Sequence, residues 1–93
     1  MLKMTLYIKG RVQKVGFRYS VANFVIESTP AVTGYVKNLS DGSVEVLAEG
    51  DLEELKELHR FCQKGPPHSE VRAIEQELEP SDKRAYQRFV IID

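Results

Sequence analysis

Several residue types and patterns are scarce or missing in this chain of 93 residues: tryptophan is absent, and Cys62 is the only cysteine. One cysteine excludes a disulfide within the chain and any zinc or redox motif that needs two. His59 and His68 show no recognisable metal-ligand spacing, so no metal site is predicted. Long apolar runs are missing too, so we expect no signal peptide, no membrane-spanning helix and a cytoplasmic protein.

The length and composition fit one domain over residues 1–93, with 42% hydrophobic and 29% charged residues. The net charge of −1 conceals an asymmetry. Residues 1–38 carry six lysines and arginines against one acid, and residues 39–93 carry seven against thirteen. This distribution favours a localised anion site in the first part and argues against a nucleic-acid or membrane surface. A monomer is the default expectation for so small a domain.

The first half of the chain predicts a strand, a helix and a hairpin. Apolar and polar residues alternate from about Lys3 to Val12, which is typical of a strand. A helical spacing of apolar residues begins at Phe17, and we expect that helix to end near Ser28, because a proline follows at position 30. Two further alternating segments, 32–38 and 44–48, flank a Ser-Asp-Gly turn and predict an antiparallel hairpin.

The second half predicts a helix and two strands. Asp51 and Glu54 resemble a capping box, and the apolar stripe that follows predicts a helix over Leu52–Lys64. Strands are predicted over Val71–Leu78 and Phe89–Ile92. Two right-handed crossovers would place both helices on one face of the sheet. The predicted fold class is α+β, a ferredoxin-like βαββαβ sandwich whose antiparallel sheet gains a short C-terminal strand.

The segment from Gly10 to Arg18 joins the first strand to the first helix and is the candidate anion site. Unpaired N–H groups at a helix start carry partial positive charge, and an arginine fork matches two phosphate oxygens. A nucleotide-binding P-loop does not fit, because Phe17 and Arg18 follow Gly16. A cysteine phosphatase loop does not fit either, since Val12 stands where its nucleophile would be.

Two motifs in the chain resemble the signatures of the acylphosphatase family. Gly10–Gln13 and Val15–Arg18 resemble the first signature, and Gly34–Asn38 with Asp41–Val46 resembles the second. The similarity continues to the closing strand and covers essentially the whole chain. It implies a cofactor-free enzyme that hydrolyses acyl phosphates to a carboxylate and inorganic phosphate, with small molecules as its only partners.

The resemblance also implies the role of each site residue. The loop from Gln13 to Arg18 is expected to bind phosphate; its members are Gln13, Lys14, Val15, Gly16, Phe17 and Arg18. Arg18 and Asn38 are the expected catalytic residues, with Arg18 holding the phosphate and Asn38 orienting the attacking water. The leaving carboxylate has a conjugate acid of pKa about 4, so it needs no proton donor at neutral pH.

Lys14 departs from the family pattern, which usually has glycine at this position. If the loop requires a positive φ here, lysine costs roughly 1 kcal/mol and its Cβ could narrow the cradle. If φ is negative, lysine is harmless and can assist anion capture. We expect the activity to be retained, with a possible change in phosphate affinity.

Three alternative functions compete with acyl phosphate hydrolysis. A base-stacking RNA-binding module needs aromatic residues on the central strands, but Glu45, Leu47 and Glu49 are expected on the open face of the third strand. A non-catalytic domain that binds phosphate or carbamoyl phosphate, as in larger hydrogenase-maturation proteins, remains the main alternative. A regulatory ligand-binding module of the same fold would also bind without turnover.

Overall fold

The computed structural model describes residues 1–93 and contains one five-stranded sheet and two helices. The elements, in chain order, are β1 (Leu2–Arg11), α1 (Phe17–Ser28), β2 (Thr33–Asn38), β3 (Val44–Gly50), α2 (Leu52–Lys64), β4 (Glu70–Pro80) and β5 (Phe89–Ile92). The predicted order of elements is confirmed, and both helices end where the sequence places their ends. Neither helix is long and apolar enough to cross a membrane.

The sheet has the strand order β4-β1-β3-β2-β5. The first four strands pair antiparallel, β1 with both β3 and β4 and β2 with β3, which confirms the ferredoxin-like arrangement. The predicted short C-terminal strand is present as β5, and it joins the sheet parallel to β2, a direction that the sequence did not predict. After β4 the chain reverses and reaches the opposite edge of the sheet, where the neighbouring strand runs in the same direction.

One hydrophobic core lies between the sheet and the two helices. It combines alternate residues of the strands with Phe17, Val21 and Val25 of α1 and three residues of α2. Both helices therefore pack on the same face, as predicted. Cys62 is fully buried in this core, and burial raises the pKa of its thiol to about 12, so the thiol is held in its unreactive protonated form.

The start of α2 differs from the predicted capping box. Asp51 is the residue before the helix, but its side chain makes no capping hydrogen bond. Its backbone carbonyl accepts the first helical bond from the Leu55 N–H, at 3.0 Å. Glu53 and Glu54 lie in the first turn, where their negative charges interact favourably with the helix dipole.

The other face of the sheet also departs from expectation at Glu49. This residue was expected to be exposed, yet only 1% of its surface is accessible. The segment between β4 and β5 covers it, and its carboxylate accepts hydrogen bonds from the N–H groups of Ala85 (2.7 Å) and Tyr86 (3.1 Å). Thr33 Oγ1 donates to the same carboxylate at 2.9 Å. Three hydrogen bonds of this kind satisfy the buried charge. Arg84 supports the arrangement by donating to Thr33 Oγ1 and to the backbone carbonyl of Glu49.

Candidate active site

A tight loop of residues 12–16 connects β1 to α1. Val12 and Phe17 are buried at its two ends, with 1% and 2% of their surfaces exposed, and they fix it to the core. Gly16 has φ 77° and ψ 19°, a left-handed conformation. A Cβ at this position would meet nothing within 4 Å. Glycine is therefore favoured here by the backbone angle and not by lack of space.

The backbone N–H groups of residues 13–18 all remain free. None donates to a carbonyl or side chain of the chain, and the first backbone bond of α1 is donated by Ser20 to the Gly16 carbonyl. Free N–H groups around the start of a helix carry partial positive charge and are a common anion-binding arrangement. The predicted phosphate loop thus has the donors that its role requires.

Arg18 lies in the first turn of α1 and is held by one arm only. Its Nη1 donates to the Ile92 carbonyl at 3.2 Å and to Asp93 Oδ1 at 3.1 Å. Its Nε and Nη2 make no hydrogen bond within the chain, and 25% of the side chain is exposed. One anchored arm restricts the guanidinium, while the remaining donors stay available for two oxygens of an anion.

Asn38 is the last residue of β2, directly before the turn of the β2–β3 hairpin. It is partly exposed, and its side-chain amide makes no hydrogen bond within the chain. The turn itself is well ordered by Asp41, whose Oδ1 accepts from the N–H of Ser43 at 2.9 Å and also from its hydroxyl. These bonds lower the pKa of the Asp41 carboxyl, so the turn keeps its charged acceptor in mildly acidic solution.

Gln13 connects the phosphate loop to this hairpin. Its Nε2 donates to the carbonyls of Leu39 (2.8 Å) and Ser43 (2.9 Å), the two residues that close the turn. Its side chain therefore does not point at an anion, and only its N–H remains for that purpose. The amide instead fixes the distance between the loop and the strand end that carries Asn38.

The loop and the hairpin enclose a cavity of about 220 Å³. Lys14, Gly16, Phe17, Arg18 and Asn38 line it, together with Val12 and Tyr19. Five of the seven predicted site residues are thus brought together around one space. Gln13 and Val15 do not line it, because Gln13 reaches the hairpin and Val15 packs against the core.

The backbone at Lys14 has the positive φ that the usual glycine would allow. Its φ is 65°, so lysine occupies a left-handed backbone position that glycine adopts more readily. The loop therefore forms at an energetic cost, and the Lys14 side chain lines the cavity while remaining exposed to solvent.

Lys9 and Lys37 do not line the cavity. Lys9 and Lys37 face Glu75 (3.8 Å) and Glu45 (4.0 Å) on the open face of the sheet. Burial, followed by a hydrogen bond to Glu45, raises the pKa of Tyr35 to about 12. No three His, Cys, Asp or Glu side chains converge in a way that could hold a metal ion.

Sequence reasoning missed the contribution of the last strand. The Ile92 carbonyl and the Asp93 carboxylate contact Arg18 although they lie more than seventy positions away along the chain. No local pattern signals this contact, because it depends on the parallel pairing of β5 with β2. Every residue has a backbone carbonyl, so the residue type at position 92 does not indicate that its carbonyl binds Arg18.

Comparison with known proteins gives the family. A family model described as Acylphosphatase matches residues 4–91. The chain belongs to the acylphosphatase family. Its relatives include an acylphosphatase from Bacillus licheniformis, which is 41% identical over 91 residues and covered to 98%, as is this chain. The crystal structure of acylphosphatase from Bacillus subtilis superposes with a TM-score of 0.91 at 36% identity, with both chains covered completely.

A longer protein contains a similar unit. The crystal structure of T. kodakarensis HypF matches 99% of this chain at 30% identity and a TM-score of 0.79, and the match covers 12% of the HypF chain. The resemblance read from the two sequence motifs is therefore confirmed. A unit of similar structure thus also occurs as a small part of a larger protein.

Proposed function

We propose that this enzyme hydrolyses acyl phosphates by direct attack of water on phosphorus. Residues 13–18 would hold the phosphoryl group, Arg18 would bind two of its oxygens, and Asn38 would orient the water. The observation that carries the proposal is one cavity lined by two kinds of unsatisfied donor. These are the free Nε and Nη2 of Arg18 and the unpaired amide of Asn38, and they lie beside free loop N–H groups.

The loop and the arginine supply charge stabilisation. Negative charge redistributes over the phosphoryl oxygens during transfer, and donors that are already fixed meet it without reorganising. Arg18 is fixed by Ile92 and Asp93, and the loop is fixed by its two buried ends. Lys14, Val15, Gly16 and Phe17 contribute backbone N–H groups in this scheme.

Asn38 positions the attacking water and does not act as a base. Its amide oxygen can accept a hydrogen bond from water while its NH₂ group donates to a phosphoryl oxygen, which holds the water near phosphorus. The scissile P–O bond breaks as the water oxygen bonds to phosphorus. The carboxylate leaves without a proton because its conjugate acid has a pKa of about 4.

The proposal extends to the working form of the protein. Residues 1–93 would act as one unit, as a monomer in the cytoplasm, on a small-molecule acyl phosphate, with inorganic phosphate as product and without a cofactor. A single sheet and one continuous core support the single unit. Sedimentation equilibrium tests the oligomeric state and should give the mass of one chain, 10.6 kDa.

The decisive assay follows loss of benzoyl phosphate by ultraviolet absorbance, with and without a chelator. The native chain should turn over, and the chelator should not change the rate. Arg18→Ala should lower kcat/KM by about 10³-fold and Asn38→Ala by about 10²-fold, the range seen for loss of one fixed electrostatic donor. Hydrolysis in ¹⁸O-labelled water should place the label in phosphate and not in benzoate.

Matched variants test whether the losses belong to the site. Arg60 and Asn23 are exposed on the two helices, away from the cavity, so Arg60→Ala and Asn23→Ala should keep native kcat/KM. Label in benzoate would contradict attack at phosphorus. Phosphate binding without turnover in the folded native chain would instead support the non-catalytic binding domain.

A further inference from the structure

Lys14 is a charged residue at the cavity that phosphate binding does not account for. Its backbone lies at φ 65°, which costs a non-glycine residue roughly 1 kcal/mol or more. Strained backbone positions concentrate at functional sites, where the retained side chain or geometry has a role. The strained backbone therefore indicates that the side chain of Lys14 has a function of its own.

The ammonium group of Lys14 has no partner within the chain. Lys3, Lys9 and Lys37 each face a carboxylate within 4.0 Å, but Lys14 forms no ion pair and no hydrogen bond. The side chain is exposed. Its positive charge is thus directed at solvent from the rim of the cavity and is available to a ligand.

Tyr19 lies at the same rim. It is in the first turn of α1, next to Arg18, and 65% of its surface is exposed although it lines the cavity. An exposed tyrosine ring offers a flat apolar surface with a polar tip. Lys14 and Tyr19 therefore provide a charge and an apolar surface outside the phosphate-binding donors, where the acyl part of a substrate would project.

We propose that Lys14 determines substrate specificity: its ammonium group binds a second negative charge carried by the acyl part of the substrate, and Tyr19 packs against that part. The preferred substrates would be acyl phosphates whose acyl group bears a carboxylate or another anionic group. This proposal rests on the function proposed above and assigns the Lys14 N–H to phosphate and its side chain to the acyl group.

Two aromatic acyl phosphates of nearly equal shape test it. 4-Carboxybenzoyl phosphate carries the second charge, and 4-carbamoylbenzoyl phosphate carries a neutral amide in the same place. The measured quantity is the ratio of kcat/KM for the charged substrate to that for the neutral one. Exposed ion pairs contribute about 0.2–1 kcal/mol, so Lys14→Met should lower this ratio by up to about fivefold.

Three controls accompany this variant. Lys14→Arg keeps the charge and should keep the native ratio. Lys83 forms no ion pair and lies in the segment between β4 and β5, so Lys83→Met should leave the ratio unchanged. Raising the salt concentration should lower the ratio for the native chain, because exposed charges are screened, and should affect it less in Lys14→Met.

The outcomes separate this proposal from the function it rests on. An equal fall of kcat/KM for both substrates in Lys14→Met would mean that the lysine acts on the phosphoryl group, which overturns the proposal. If the native chain hydrolyses neither substrate, dissociation constants for the two matching methylene phosphonates decide by calorimetry. A ratio that depends on Lys14 would then support the specificity assignment without hydrolysis, and one that does not would overturn it.

Discussion

The two ends of the β2–β3 hairpin are both polar, but they are built in opposite ways. At one end Thr33 faces Glu49, whose buried carboxylate accepts three hydrogen bonds from Thr33, Ala85 and Tyr86. At the other end Asn38 faces Val44, and the amide of Asn38 has no partner. One end of the same pair of strands satisfies its polar groups, and the other leaves them open.

This contrast indicates that the Glu49 end of the hairpin contributes to stability and the Asn38 end to chemistry. A satisfied buried carboxylate holds the segment before β5 to the sheet, and it offers nothing to a ligand. Unpaired donors at the Asn38 end contribute little to stability, and they are ready to bind an anion. A change at the Glu49 end should therefore appear mainly in stability, and a change at the Asn38 end mainly in activity.

The largest effect in this comparison is expected for Glu49→Ala. Removing the buried carboxylate leaves the N–H groups of Ala85 and Tyr86 without their acceptor and should lower the free energy of unfolding by about 3 kcal/mol. The measurement is urea denaturation followed by circular dichroism. Glu77→Ala, at an exposed position of β4, is the matched control and should change stability by less than about 0.5 kcal/mol.

The comparison also predicts what Glu49→Ala leaves intact. The kcat for benzoyl phosphate, measured well below the unfolding transition and corrected for the folded fraction, should stay near the native value. A loss of kcat as large as that of Asn38→Ala would show that the two ends are coupled, with β5 as the connection to Arg18.

An intermediate effect is expected for Gln13→Ala at the opposite end. The change removes both hydrogen bonds to the turn, at Leu39 and Ser43, so Asn38 loses its fixed distance from the loop. We expect about a tenfold fall in kcat and a stability loss of about 1 kcal/mol.

The inhibition constant for inorganic phosphate distinguishes two roles of Gln13: positioning Asn38 and shaping the phosphate-binding loop. It should change less than kcat, because the free N–H groups of the loop remain. Gln63→Ala, exposed on α2, serves as the control. If phosphate binding weakens as much as kcat falls, Gln13 shapes the loop and not the position of Asn38.

The smallest effect is expected for Lys14→Gly. Relief of the positive φ is partly offset by the greater freedom of glycine in the unfolded chain, so the free energy of unfolding should rise by about 0.5 kcal/mol. His68 also has a positive φ, 73°, and lies outside the cavity. His68→Gly should give a similar gain, and only Lys14→Gly should alter the substrate ratio.

Periodicity in the sequence predicts most of the fold because most elements have one buried face. The bounds of α2 and β5 follow from apolar spacing and from the residues that interrupt it. The end of β4 was less predictable: it extends to Pro80, at the edge of the sheet, where most side chains are exposed and alternation is weak. The direction of β5 could not be predicted, because no residue pattern distinguishes parallel from antiparallel pairing in a strand of four residues.

The candidate site could be predicted only in part. Arg18 and Asn38 stand in motifs with local spacing, and the structure brings them to one cavity. Gln13 was expected to belong to the phosphate-binding loop, and the contact of its side chain with the hairpin could not be predicted, because it joins residues far apart along the chain. Glu49 was misjudged for the same reason, because the segment that buries it is separated from it by a helix and a strand.

The pairing of β1 with β4 has a consequence for how the enzyme becomes active. Leu2 pairs with Pro80, so the chain between these two residues must close into a loop before β1 and β4 can pair along their full length. Non-local pairing of this kind slows folding, typically to milliseconds or longer. Residues 13–18, Asn38 and Ile92 also come from distant parts of the chain. Catalytic competence should therefore emerge late in refolding, after the helices have formed, so that recovery of turnover lags behind recovery of helical signal.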